Sequence, residues 1–315
     1  VAAPSRLAFI TAFAALYVVW GSTYLGIRIA IETMPPFLMA GTRYFTAGLI
    51  MYGIARAKGA PPTGLAEWRS ALIIGACLLL GGNGGVTIAE KYVETGIAAV
   101  IVATVPIYIT LLGWITGTAP RPTRTVWLGL IGGFAGVFML VLPELHWSGA
   151  SHRAATGMLI LLVGSFVWSA GSLYSRRAKN PRSPFLGAAQ QMICGGVLLM
   201  LAGLVARELR GLDVQRISWP SIVAWIYLVL IGAIIGFGAY IWLLRNCDPA
   251  KVATYAFVNP IVAMILGALF NGESITPRVF GAGTLIIGSV ALVILADQMK
   301  IRSAPPAAAA VAEGE

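Results

Sequence analysis

Charge is scarce in this chain: 11% of its 315 residues are Asp, Glu, Lys or Arg, while 58% are hydrophobic. A soluble globular protein carries roughly 25% charged residues. Too little polar surface is present to coat a water-soluble body of this size. Histidine is rarer still, and His146 and His152 share one short polar connection, where loop residues are expected rather than metal ligands. Cys77, Cys194 and Cys247 lie far apart with no C-x-x-C pair, which argues against a thiolate metal cluster or a disulfide framework. No G-x-x-x-x-G-K-[ST] loop occurs, so motif logic excludes ATP drive within the chain.

What the chain has instead is apolar sequence in blocks of about 20 residues, the length that crosses ~30 Å of hydrocarbon. Ten blocks are bounded by charges or Pro/Gly breaks: Leu7–Ile27, Pro36–Ile54, Ala71–Ala89, Ile97–Ile115, Val126–Val141, Ala155–Tyr174, Phe185–Val205, Ile222–Leu244, Val252–Phe270 and Gly281–Ala296. They are continuously apolar and do not alternate, which predicts membrane helices rather than a β-barrel. The first block is too long for the apolar region of a signal peptide and reads as the first membrane helix. The low-complexity end, "APPAAAAVAEGE", predicts a disordered tail over 299–315.

The net charge of +10 does not mark a nucleic-acid binder, because the 22 Lys and Arg are scattered between apolar blocks. They read as topology signals. With the N-terminus in the cytoplasm, fourteen of them fall in inner connections and seven in outer ones, so the positive-inside rule puts both termini in the cytoplasm. The remaining one, Arg43, lies inside the second block.

The chain also repeats itself. A shift of 148 lays Val19-Trp20 on Val167-Trp168, Arg28 on Arg176 and Pro36-Phe37-Leu38 on Pro184-Phe185-Leu186. A shift of 154 lays Gly82 on Gly236, Gly84 on Gly238 and Pro106-Ile107 on Pro260-Ile261. Five spans per copy is an odd number, so the second copy must enter the membrane from the opposite side. Two inverted five-helix repeats, 1–143 and 155–298 joined by 144–154, are therefore expected around a central cavity, an arrangement that characterises secondary transporters. The fold class is all-α integral membrane with ten transmembrane helices.

Several stretches carry a resemblance: "VVWGSTYLGIRIAIE", "PPFLMAGTRYFTAG", "GGNGGVTIAEKYVETGIAAVIVATVPIYI" and "ATYAFVNPIVAMILGALFNGE". They resemble the EamA-type carriers of the drug/metabolite transporter superfamily, bacterial inner-membrane exporters in particular. The resemblance implies helices 1–4 and 6–9 around a cavity, helices 5 and 10 at the periphery, and export of amino acids, aromatic ones included, and related metabolites. This sequence departs from an even repeat. Arg43 and Asn83 face Gln191 and Phe237 in the alignment, so the halves are chemically unequal.

Candidate cavity residues follow from what is costly in hydrocarbon. Arg43 is the sharpest, because a deep arginine faces the interior or a watery hollow. Its planar fork suits a carboxylate; backbone carbonyls or snorkelling are the alternatives. Asn83, inside "LLLGGNGGVTIAEKY", is costly if unpaired. It either lines the cavity or sits in a small-residue packing seam. Gln190 and Gln191 are expected opposite Arg43. Tyr255 and Asn259 share a helix face. Trp20, Trp168, Tyr44 and Tyr240 offer rings to apolar cargo or fill packing gaps. Pro106 and Pro260 break helices at equivalent places and are hinge candidates.

All twelve acids lie in connections, tails or span ends, with Glu90 nearest the membrane. The lack of a midspan carboxylate argues for facilitated export, or for coupling through water or backbone. A carrier of phosphate-bearing metabolites or drugs is the rival reading, and an intramembrane enzyme the remote one, since no nucleophile–base pair sits at depth. A small-molecule substrate, the lipid bilayer, a monomeric state and no cofactor complete the expectation.

Overall fold

The computed structural model describes residues 5–119, 121–145, 149–247, 252–253 and 255–302. Among them every regular element is helical. The helices are α1 (Arg6–Ala30), α2 (Pro36–Ala57), α3 (Leu65–Ala89), α4 (Thr95–Ile115), α5 (Arg124–Leu145), α6 (Gly149–Arg177), α7 (Pro184–Val205), α8 (Trp219–Asn246), α9 (Tyr255–Asn271) and α10 (Pro277–Arg302). Six of them, α1, α3, α4, α7, α8 and the His152–Arg177 stretch of α6, are long and apolar enough to cross a membrane, and Val258–Asn271 adds a shorter apolar helix.

Local chemistry sets the helix ends. Ser5, Ser183 and Ser218 cap α1, α7 and α8 by accepting from the amides of Ala8, Leu186 and Ser221. Two helices borrow their caps from distant loops. The Glu208 carboxylate accepts from the amides of Phe37 and Leu38 at the start of α2. Glu273 accepts from the Thr95 and Gly96 amides and the Thr95 hydroxyl at the start of α4. Anionic side chains at helix N-termini satisfy orphan amides and meet the positive end of the dipole.

α3 and α8 each contain a π-helical stretch, Ala76–Asn83 and Leu228–Phe237. Both end at the positions paired by the 154-residue shift. The looser winding re-aims the side chains that follow, and such stretches recur at functional sites.

Packing follows the small residues. α2 lies along α7, and α5 along α10. α1 meets α8 and α9, while α6 meets α3 and α4. Each pairing recurs when every label is exchanged for the one five places away. Apolar side chains such as Leu128, Val163, Leu269 and Phe270 point outward and are at least 63% exposed. In water these would be a liability; against lipid they are the solvated surface.

Some boundaries differ from the sequence reading. α6 starts at Gly149, inside the expected connection, and α10 runs on to Arg302, so 299–302 is helical rather than tail. α4 is not one uninterrupted helix: it breaks at Ala103-Thr104 between Thr95–Val102 and Val105–Ile115. His146 and the expected tail at 303–315 lie outside the described residues. His152 is exposed on α6, and no group of His, Cys, Asp or Glu among the described residues is arranged to hold a metal.

Candidate functional site

A cavity with about 630 Å³ of empty space, part of it open to solvent, lies between the helices. α1 contributes Trp20, Thr23, Tyr24 and Ile27 to its wall, α2 Arg43 and Tyr44, and α3 Gly82, Asn83 and Val86. α4 adds Val102 and Val105, α6 Gly164, Ser165 and Trp168, α8 Gly232, and α9 Tyr255 and Asn259. Among the described residues, α5 and α10 contribute nothing to it, and neither does α7, which the resemblance places around the cavity.

Arg43 is the one cation among the described residues of this wall and is 2% exposed. Its Nη2 donates to Asn83 Oδ1 at 2.9 Å, and its Cζ lies 4.2 Å from the centroid of the Tyr44 ring. Nε and Nη1 are buried with no hydrogen-bond partner. A buried guanidinium holding only one of its hydrogen bonds is in a costly state. The charge is tolerated because Asn83 and the Tyr44 ring partly solvate it, and it retains donors for an anion.

Asn83 closes the π-helical stretch of α3, and its neighbouring glycines do a different job. A β-carbon on Gly82 would lie 2.5 Å from Trp168 Cε3, and one on Gly84 2.8 Å from Leu199. These glycines let α6 and α7 approach; the amide between them serves Arg43.

The aromatic side chains form a floor. Trp20 packs edge-on against Trp168 and Tyr255, with ring centroids 5.5 and 5.2 Å apart. Trp168 Nε1 donates to the Tyr240 hydroxyl at 3.0 Å, and that oxygen also lies 2.7 Å from Ser172 Oγ. Tyr240 therefore sits behind Trp168 rather than in the cavity wall. Asn259, with its amide nitrogen turned toward α1, donates to the carbonyls of Tyr17 at 2.9 Å and Tyr255 at 3.2 Å, tying α9 to α1.

The two glutamines are elsewhere. Gln190 donates to the Thr63 hydroxyl, and Gln191 lines a second cavity with Arg176 and Arg245. Neither lines the cavity of Arg43: α7 meets Gly48 of α2 at Ala189 and Ile193 and reaches the level of Gly41 only at Gly196 and Met200, while Asn83 of α3 is the side chain that meets the guanidinium. The two prolines also differ. Pro106 falls in the first turn of the second α4 segment, where a missing amide costs little. Pro260 lies inside α9, where it removes a backbone hydrogen bond.

Sequence reasoning missed Thr23, Tyr24 and Ser165 in the wall. Helical spacing from Trp20 to Thr23 and Tyr24 was the available signal. It also placed Glu90 at a span end, nearest the membrane, without anticipating its burial. Glu90 directly follows α3, yet it is fully buried and neither carboxylate oxygen has a hydrogen-bond partner. The Arg28 guanidinium donates to the backbone carbonyl of Glu90 instead. Burial pushes the Glu90 carboxyl well above the usual carboxylate range, and the nearby Glu273 adds to this against the opposing pull of Arg28 and Arg43.

The sequence profile of the EamA-like transporter family matches residues 7–142 and again 155–295. Inner membrane transporter YedA of Escherichia coli (strain K12), itself described as uncharacterized, is 38% identical over 285 residues, 89% of each chain. A protein of Salmonella typhimurium named "Probable amino-acid metabolite efflux pump" is 24% identical over 281 residues, 87% of this chain and 90% of that one. A solved crystal structure 19% identical to this chain covers 92% of it and 99% of its own length, with a TM-score of 0.64, so the two share a fold.

Proposed function

The chain belongs to the EamA-like transporter family, and on that premise we propose that it exports amino acids, aromatic ones included, and related small metabolites from the bacterial cytoplasm by alternating access. The observation that carries this reading is Arg43: two guanidinium nitrogens without partners in a cavity whose wall includes the rings of Trp20, Tyr24, Trp168 and Tyr255. A carboxylate would complete the guanidinium's bonds through its planar fork. The rings would take an apolar or aromatic side chain. An amino acid has both parts.

In this reading the ten helices are two inverted five-helix repeats inserted in the inner membrane, with both termini in the cytoplasm and the monomer as the working unit. The doubled family match and the five-place exchange symmetry of the packing support the repeat. The excess of Lys and Arg in the inner connections supports the orientation. A relative named for amino-acid metabolite efflux supports the cargo class.

Purified protein in liposomes passes labelled amino acids without ATP if the proposal holds; no flux with any of the twenty ends it. A phosphate-bearing cargo is the weaker reading, because one guanidinium supplies less charge than a phosphate dianion demands.

A further inference from the structure

The second cavity lies farther along α6 and α8, the two helices that line both hollows. It holds about 910 Å³ of empty space including its open mouth, between the ends of α6, α7 and α8. Along α6 the order is Trp168 in the first cavity, Ser172 behind it, then Ser175 and Arg176 in the second. Along α8 it is Gly232, then Tyr240, then Leu244 and Arg245. The Trp168–Tyr240–Ser172 hydrogen-bonded cluster therefore separates two hollows arranged end to end.

The repeat relates the two. Ser175 and Gln191 of the second cavity are the images of Ile27 and Arg43 in the first. Arg176, Leu244 and Arg245 are the images of Arg28, Glu90 and Lys91, none of which lines the first cavity. The exchange is unequal in charge. Arg28 contacts the residue that carries a buried carboxyl, Glu90, whereas the image of that acid is Leu244. Among the described residues that line the second cavity there are two guanidiniums and no carboxylate.

The polar groups there are incompletely paired. Arg245 Nη1 donates to the Pro181 carbonyl at 2.8 Å, while its Nη2 is buried without a partner. Gln191, 1% exposed, has an unpartnered Oε1. A cavity with positive charge, spare N–H donors and an unused amide oxygen matches a zwitterion, with the guanidiniums for its carboxylate and the amide oxygen for its ammonium.

We propose that this second cavity is a binding vestibule for carboxylate-bearing zwitterionic cargo at the opposite membrane face, on the far side of the Trp168–Tyr240 barrier from Arg43. The inference rests on the transport reading above and extends it to a site built from Arg176, Arg245 and Gln191. Arg245 also holds the chain at Pro181, so Arg176, exposed and free of such a duty, is the residue to neutralise.

The test is thiol labelling, which needs no turnover. Leu244→Cys is introduced after Cys77, Cys194 and Cys247 are replaced by Ala, with Ser175→Cys as a second reporter should the first fold poorly. Vesicles are treated with an anionic sulfonate and a cationic trimethylammonium thiosulfonate, each rate normalised to a free thiol. The expected result is an anionic preference of about tenfold that collapses in Arg176→Gln, with labelling slowed by millimolar phenylalanine and not by phenylalaninamide. Equal normalised rates, a preference indifferent to Arg176→Gln, or no protection by phenylalanine overturns the vestibule. Labelling that passes in a protein without flux leaves this site standing and removes transport, so the two failures are distinct.

Discussion

Arg43 and Asn83, forty residues apart, meet through a single hydrogen bond of 2.9 Å from Nη2 to Oδ1. That bond orients the guanidinium fork and leaves Nε and Nη1 without partners in a wall of rings. Arg43→Ala is expected to reduce flux of a carboxylate cargo at least about tenfold, equivalent to about 1.4 kcal/mol, and to leave its amide analogue nearly unaffected. Paired flux measurements on phenylalanine and phenylalaninamide check this. Equal losses on both would take Arg43 out of the binding site.

Pro260 is the one of the two prolines set within a continuous helix, and its neighbour Asn259 ties α9 to α1. Pro260→Ala restores a backbone donor and stiffens α9. Binding measured by tryptophan fluorescence should persist while flux falls severalfold. Pro106→Ala, at a helix start that tolerates proline, is expected to have the smaller effect. Unchanged flux in Pro260→Ala would remove the hinge role.

How much of this was legible in the sequence depended on where each signal came from. Apolar blocks and proline or glycine breaks report directly on solvent and backbone, so the helices fell close to their expected ranges. Arg43 stood out because hydrocarbon makes any unneeded charge costly. Asn83 stood out as well, but their pairing did not: the contact depends on how α2 and α3 rotate about their axes, and the π-helical stretch that ends at Asn83 changes that rotation. Gln190 and Gln191 failed for the same reason, since alignment with Arg43 in a repeat does not mean facing it. The full burial of Glu90 at the end of α3 was not legible, because the groups that act on it, Arg28 and Glu273 among them, are distant in sequence and no local window contains them.

The α2–α7 seam is held at backbone distance. A β-carbon on Gly196 would lie 2.6 Å from the Phe45 nitrogen and 2.9 Å from the Gly41 carbonyl oxygen, neither of which can move aside. Gly196→Ala is expected to cost about 1–3 kcal/mol, the range for overpacking. Gly53, also in α2, has nothing within 4 Å of its built β-carbon. Gly53→Ala should gain about 0.5–1 kcal/mol from helix propensity. Thermal unfolding in detergent compares the two; a Gly196→Ala protein as stable as Gly53→Ala would mean the seam is looser than described.

Glu90 makes stability depend on pH in an unusual direction. Its carboxyl is raised above the ordinary 4.5 by burial and by Glu273, opposed by Arg28 and Arg43. The folded chain therefore binds this proton more tightly than the unfolded chain does. Its contribution to stability is fully present at low pH and declines as pH rises from about 4.5 toward the raised value. Glu94, whose carboxyl is also raised by partial burial and by Glu273, acts in the same sense. Glu90→Gln keeps the shape of the protonated acid and cannot ionise. The variant should match the parent near pH 5 and exceed it by pH 8, by about 1–3 kcal/mol if the unpaired buried group behaves as such groups do. Melting curves at both pH values read this out. A Gln variant that loses stability at pH 8 would show that Glu90 is ionised and paired, with the Arg28 guanidinium turned from the backbone carbonyl to the carboxylate.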